Sequence, residues 1–187
     1  AWAGPLPSDI EVSTEILHLA PVARELPASW RGEWAFAGLT PQGMLRTWTH
    51  TPGAVTLARA DAATLALAER ADAVVLGADE RPFAQDLVAR ARAHAAVVAV
   101  TDGPRPNVLL EPDGRELVVD VPPLAGEGDD LGAGDVYAAA FFLALAGGEP
   151  PLVAAAMGNA AARQRLLGAG ADAIATVARG SEAGERA

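Results

Sequence analysis

Lysine is missing from all 187 positions, so every strongly basic side chain is one of 14 arginines. That excludes a phosphate-binding loop of the lysine type, a pyridoxal Schiff base and the strand lysine of protein kinases. Cysteine is missing too, which removes thiol nucleophiles, disulfides and cysteine-ligated zinc. A cysteine-free chain fits a reducing compartment, and a cytoplasmic location is the expectation. Basic residues are outnumbered by 24 acids, for a net charge of −10. No nucleic-acid partner is therefore expected, because phosphate contacts need clustered cations. Apolar runs do not exceed the about 10–14 residues of a buried helix, so no membrane partner is expected either. The start, Ala1-Trp2-Ala3-Gly4-Pro5, has neither the basic lead nor the apolar stretch of a signal peptide.

What is present is a chain that is 51% hydrophobic, enough for one sizeable core. A single domain over 1–187 is expected, with a frayed tail at 180–187. The chain opens on Ala rather than Met and enters a strand-like stretch almost at once, so a preceding segment is expected to be missing. Strands are expected at Glu15 to Ala20 and Trp34 to Leu39, with a helical turn or two from Pro21 to Trp30. Thr40 to Gly43 reads as a turn and Gly53 to Ala58 as another strand. Helices at Ala60 to Arg70 and Arg81 to His94 bracket a strand at Ala73 to Leu76, with Asp79 as N-cap of the second helix. Ala95 to Thr101 reads as a parallel strand covered on both faces. Asn107 to Glu111 and Glu116 to Val121 read as a hairpin through Pro112-Asp113-Gly114. Two very apolar helices, Ala133–Ala146 and Pro151–Leu167, are expected inside the molecule. Strands alternating with helices, then a hairpin, make an α/β fold with a mainly parallel sheet and an antiparallel edge.

The run Asp129-Asp130-Leu131-Gly132-Ala133-Gly134-Asp135 carries the chemistry. Its two glycines let a ligand approach the backbone, and the helix behind them offers free N–H groups to an anion. Asp135 lies in the first turn of that helix, an address that suits phosphoryl transfer to a hydroxyl. Glu127, Asp129, Asp130 and Asp135 crowd four acids into nine positions. A triphosphate can approach them only with a divalent cation, a helix terminus or an arginine.

This run resembles the Asp-Thr-x-Gly-Ala-Gly-Asp signature of the PfkB-type, or ribokinase-like, carbohydrate kinases. Ala73-Val74-Val75-Leu76 followed by Glu80 resembles the family's strand ending in an acidic metal-linked position. Val100-Thr101-Asp102-Gly103 resembles its nucleotide strand, and the helix with Asn159 resembles the one that closes over adenine. The resemblance implies a ribokinase-like three-layer fold and transfer of the γ-phosphate of ATP to a hydroxyl of a sugar, polyol or nucleoside. It makes Gly132, Ala133 and Gly134 the anion hole and Asp135 the general base. Thr101, Gly103 and Asn159 become nucleotide contacts, Glu80 and Asp129 the holders of Mg²⁺ through water, and Arg46 a phosphate or substrate arginine. It also leaves open a homodimer. Departures from the pattern are Asp130 for threonine, Gly77 for asparagine, and Gly103-Pro104-Arg105-Pro106 without a second glycine. The family's N-terminal lid and Gly-Gly substrate motif have no counterpart, since Gly147-Gly148 reads as a helix C-cap. The competing reading is a truncated or diverged member that at most binds nucleotide.

Simpler readings accompany each residue. Glu80 also reads as a first-turn helix residue, Asn159 as a satisfied core amide and Arg46 as a surface ion pair. Gly168-Ala169-Gly170-Ala171-Asp172 follows a helix and reads as a loop. His18, His50 and His94 share no spacing and are given no role. Trp30, Trp34 and Trp48 read as packing residues.

Overall fold

A computed structural model describes residues 4–27, 31–48, 54–124 and 130–178. Its main sheet has six strands in the order β1 (Glu11–Leu19), β2 (Arg31–Leu39), β5 (Ala73–Gly77), β6 (Val97–Asp102), β7 (Arg105–Leu110) and β8 (Glu116–Val119). The first four run parallel, and the β7–β8 hairpin closes the sheet antiparallel. A two-stranded ribbon, β3 (Arg46–Thr47) with β4 (Thr56–Leu57), stands apart from it.

Alternation along the central strands divides the core into two sides. Val74, Leu76, Val98 and Val100 face a layer made by α1 (Gln42–Leu45), α2 (Ala62–Ala68) and α3 (Gln85–Ala93). Ala73, Val75 and Ala99 face α4 (Ala133–Ala146) and α5 (Pro151–Leu166). A smaller cluster of Ala140, Ala161 and Ala178 joins both to α6 (Ala171–Ala178). Three layers with a mainly parallel sheet and a hairpin at its edge are the architecture expected from the sequence.

The α4 layer sits unusually close to β2. A Cβ on Gly38 would fall 2.3 Å from the Phe142 ring, so glycine at this position opens the recess that the ring fills. Phe142 is 1% exposed there. Neither long helix lies inside the molecule, however. Leu143 on α4 and Leu152 and Val153 on α5 are exposed, so the two form an outer layer that seals one sheet face.

Other departures have local causes. The segment expected as a helical turn after β1 is an irregular loop. Glu25 accepts hydrogen bonds from the amides of Val22 and Ala23, and Arg24 takes φ 56°. The helix expected from Arg81 starts at Gln85 without side-chain capping, and Asp79 does not cap it. Residues 77–84 instead wind through successive tight turns, with Gly77 and Glu80 carbonyls accepting from Arg81 and Ala84. Asp61 caps α2 by accepting from the amide of Thr64. The loop expected after α5 leads straight into α6, because the Gly170 carbonyl accepts from Ala173 and Ile174. Residues 28–30, 49–53 and 179–187 lie outside the described parts, and with them Trp30, His50, the start of the expected Gly53 strand and the expected tail.

Candidate functional site

Parallel α/β sheets offer ligands the crevice beyond the carboxyl ends of their strands. Here β1, β2, β5 and β6 deliver Leu19, Leu39, Gly77 and Asp102 to that edge. Most of the residues singled out from the sequence collect along it.

Gly132 is the N-cap of α4 at φ 80° and ψ 0°, a left-handed conformation that side chains resist. No side chain caps the helix. Among the described residues, a Cβ built on Gly132 or Gly134 would meet nothing within 4 Å. The Ala133 amide donates to the Asp130 carbonyl at 3.0 Å and is taken up there. The amides of Gly132 and Gly134 have no partner among the described residues. Asp135 is exposed beside them.

Glu80 is only 5% exposed, at the turn leaving β5. Its Oε2 accepts from the Gly77 amide at 2.9 Å. Burial pushes the Glu80 carboxyl above its ordinary range, against the Gly77 bond; Asp79 adds to the rise, while Arg46 and Gln42 oppose it. Arg46 and Glu80, far apart in sequence, are thus neighbours. The Arg46 guanidinium also donates to the Val22 carbonyl at 3.1 Å, and its own carbonyl accepts from Arg24 Nε at 2.6 Å. A side chain at position 77 would meet Asp79 Oδ1 at 2.5 Å. The space for the family's asparagine is therefore filled by an acid from two residues downstream. Asp129 lies outside the described residues. Among the described residues no three His, Cys, Asp or Glu side chains group as a metal cluster.

On the hairpin side, Thr101 Oγ1 donates to the Leu76 carbonyl at 3.4 Å. Gly103 forms the β6–β7 turn at φ 58° with open space around it. That turn lacks a second glycine and is tied instead by Arg105, whose Nε and Nη2 reach Asp102 at 2.6 and 2.5 Å. Asn159 is 6% exposed, and both ends of its amide are engaged. Its Oδ1 accepts from Asn107 Nδ2 at 2.8 Å and its Nδ2 donates to the Asp120 carbonyl at 3.2 Å. The bland reading of a satisfied core amide describes its surroundings. The Tyr137 hydroxyl is buried beside the Asn107 side chain, and burial pushes the phenol above its ordinary range against the opposing pull of that amide.

Four polar residues of this edge escaped sequence reasoning. His18 shares no spacing with the other histidines, Gln42 falls in a segment that reads as a turn, and Asn107 reads as a hairpin residue. Arg24 carried no signal at all, since its role comes from a left-handed backbone.

With this geometry in place, comparison with known proteins settles the family. A model described as pfkB family carbohydrate kinase matches residues 45–177. The chain belongs to that family. No curated protein sequence matches it. Among solved structures it is similar to a pyrophosphate-dependent myo-inositol-1 kinase converted into a myo-inositol-3 kinase. That match has a TM-score of 0.73 and 15% identity, covering 97% of this chain and 69% of the other. Arabidopsis thaliana ribokinase, complexed with ribose and ATP, matches at TM-score 0.59 and 18% identity, over 88% of this chain and 56% of that one. A Methanocaldococcus jannaschii nucleoside kinase of the ribokinase family matches at 0.61 and 16%, over 89% and 56%. The fold is thus ribokinase-like, and the chain spans between 56% and 69% of the length of these three structures. Among the described residues no helix is long and apolar enough to cross a membrane.

Proposed function

We propose that the chain carries the phosphoryl-transfer half of a kinase that moves the γ-phosphate of ATP to a hydroxyl of a sugar, polyol or nucleoside. The observation that carries this reading is the mouth of α4, where the amides of Gly132 and Gly134 have no partner among the described residues and stand beside exposed Asp135. In this reading Asp135 accepts the hydroxyl proton as the acceptor oxygen bonds to the γ-phosphorus. The bond from that phosphorus to the bridging oxygen breaks, and ADP leaves. The amides at positions 132 to 134 hold the charge that builds on the transferred group, with Ala133 contributing less because its N–H is engaged. Arg46 supplies positive charge at the same edge.

The acids present fit a hydrated divalent cation. Mg²⁺ prefers carboxylate oxygens and retained waters, and Glu80 with Asp79 offers an adjacent pair, while Asp129 is added to them on the sequence pattern alone. When bound, the cation neutralises phosphate charge; the residues here hold and orient it. Thr101 and Gly103 line the nucleotide side. Asn159 acts there through Asn107 and Asp120, because its amide is already engaged.

Asp135→Asn tests the assignment. It should lower kcat by about 10²- to 10⁴-fold, the usual worth of a general base, and leave ATP binding by calorimetry unchanged. Unaltered turnover would remove Asp135 from the role. A second reading, a member that binds nucleotide without phosphorylating anything, is favoured by the Asp102–Arg105 tie across the turn where a second glycine is expected. Calorimetry with ATP and Mg²⁺, beside turnover on a sugar, polyol and nucleoside panel, separates the two. Running the panel with pyrophosphate as well identifies the donor.

A further inference from the structure

His18 stands where the kinase reading needs an acceptor contact. Leu17 and Leu19 of β1 turn toward the α1–α3 layer, which leaves the side chain between them on the α4 face. Its ring meets Phe142 edge-on, with centroids 5.0 Å apart at 80°. Phe142 lies seven residues, or two turns, after Asp135, so the two share a face of α4. From its half-buried position His18 therefore looks along the same helix face as the proposed base.

The hydrogen bonds around the ring set its polarity. Nε2 is 3.2 Å from Thr40 Oγ1, and that hydroxyl donates to the Leu19 carbonyl at 3.4 Å. With its one proton directed there, Thr40 accepts, so Nε2 carries the hydrogen and Nδ1 the lone pair. Nδ1 has no partner among the described residues. Burial pushes the imidazole below its ordinary range and outweighs the opposing pull of Asp135. A neutral ring thus presents a hydrogen-bond acceptor on the side of the sheet where Asp135 receives a proton.

We propose that His18 contacts the phosphoryl acceptor, its Nδ1 receiving a hydrogen bond from a second hydroxyl while Asp135 addresses the reacting one. The site accordingly favours polyhydroxylated acceptors with neighbouring hydroxyls over alcohols lacking the second group. This rests on the kinase reading, and the test keeps the two apart.

His18→Leu removes the acceptor atom, and His18→Gln restores one on an uncharged side chain. With ribose or myo-inositol as acceptor, His18→Leu should raise the acceptor KM by about 10-fold, the worth of one hydrogen bond of about 1.4 kcal/mol. The KM for ATP should stay within about twofold, and discrimination against the matching deoxy compound should disappear. His18→Gln should recover most of the loss. Equal loss toward both substrates, or preserved discrimination in His18→Leu, overturns the proposal. Histidine side-chain NMR reads the same contact without turnover: ribose or myo-inositol should move the His18 ring signals and leave those of His94 in place. Asp135→Asn should lower the His18 pKa further by removing the charge that raises it. If wild type phosphorylates no acceptor, the kinase reading falls, and the NMR arm decides alone. Unmoved His18 signals then overturn the contact.

Discussion

Glu80 keeps only 5% of its surface in water, beside Asp79, and this raises its proton affinity in the folded chain. A carboxyl whose pKa is higher folded than unfolded contributes stability that is complete below its unfolded value, near 4.5, and is lost as pH rises through the folded one. At neutral pH the residue therefore works against the fold that holds it. Glu80→Gln should melt at the same temperature as wild type or higher at pH 7, with the gap closing toward pH 4. The same variant should need about 10- to 100-fold more Mg²⁺ for half-maximal activity, the usual cost of losing a metal-supporting group. Melting curves across that pH range and a Mg²⁺ titration check the two halves. A lower melting temperature throughout would show that the bonds to Gly77 and Gln42 outweigh the burial.

At the scale of elements, the mouth of α4 depends on a backbone that only glycine adopts without strain. Gly132→Ala should destabilise the chain by about 1–2 kcal/mol, because φ 80° forces a Cβ toward the carbonyl. Urea unfolding measures it, and phosphate transfer should fall with it as the amides turn away. Such a helix was legible in the sequence: eleven apolar residues follow Asp135, and α4 has the limits read from them. The central strands were legible for the same reason, since β5 and β6 are nearly continuous in Val and Ala. Polar first halves concealed the true starts of β1 and β2, whose early residues are mostly exposed. The turns of 77–84 were hidden because their order comes from backbone carbonyls and the Glu80 side chain. α6 was missed because its lead of alternating Gly and Ala has the composition of a loop. The Gly132–Asp135 segment could be read as a candidate site because its spacing is local. The surroundings of His18 could not be read, since Phe142 and Thr40 are brought to it by the fold.

Across the whole molecule, one polar link joins parts that are 52 residues apart. Asn107 on β7 and Asn159 on α5 form a buried side-chain pair that also grips Asp120, on the way to the α4 mouth. Asn107→Leu or Asn159→Leu alone strands a buried amide and should cost about 1–3 kcal/mol. The double variant should cost clearly less than the sum of the two, because no amide is left without its partner. Unfolding of the three variants gives the coupling directly, and simple additivity would show that the link contributes little.

The recess at Gly38 bears on how this molecule can move. A ring lodged in a notch of the sheet keys α4 against sliding along its own axis, much as a pin fixes the height of a shaft. Its first amides are thereby kept at one elevation above the strand ends.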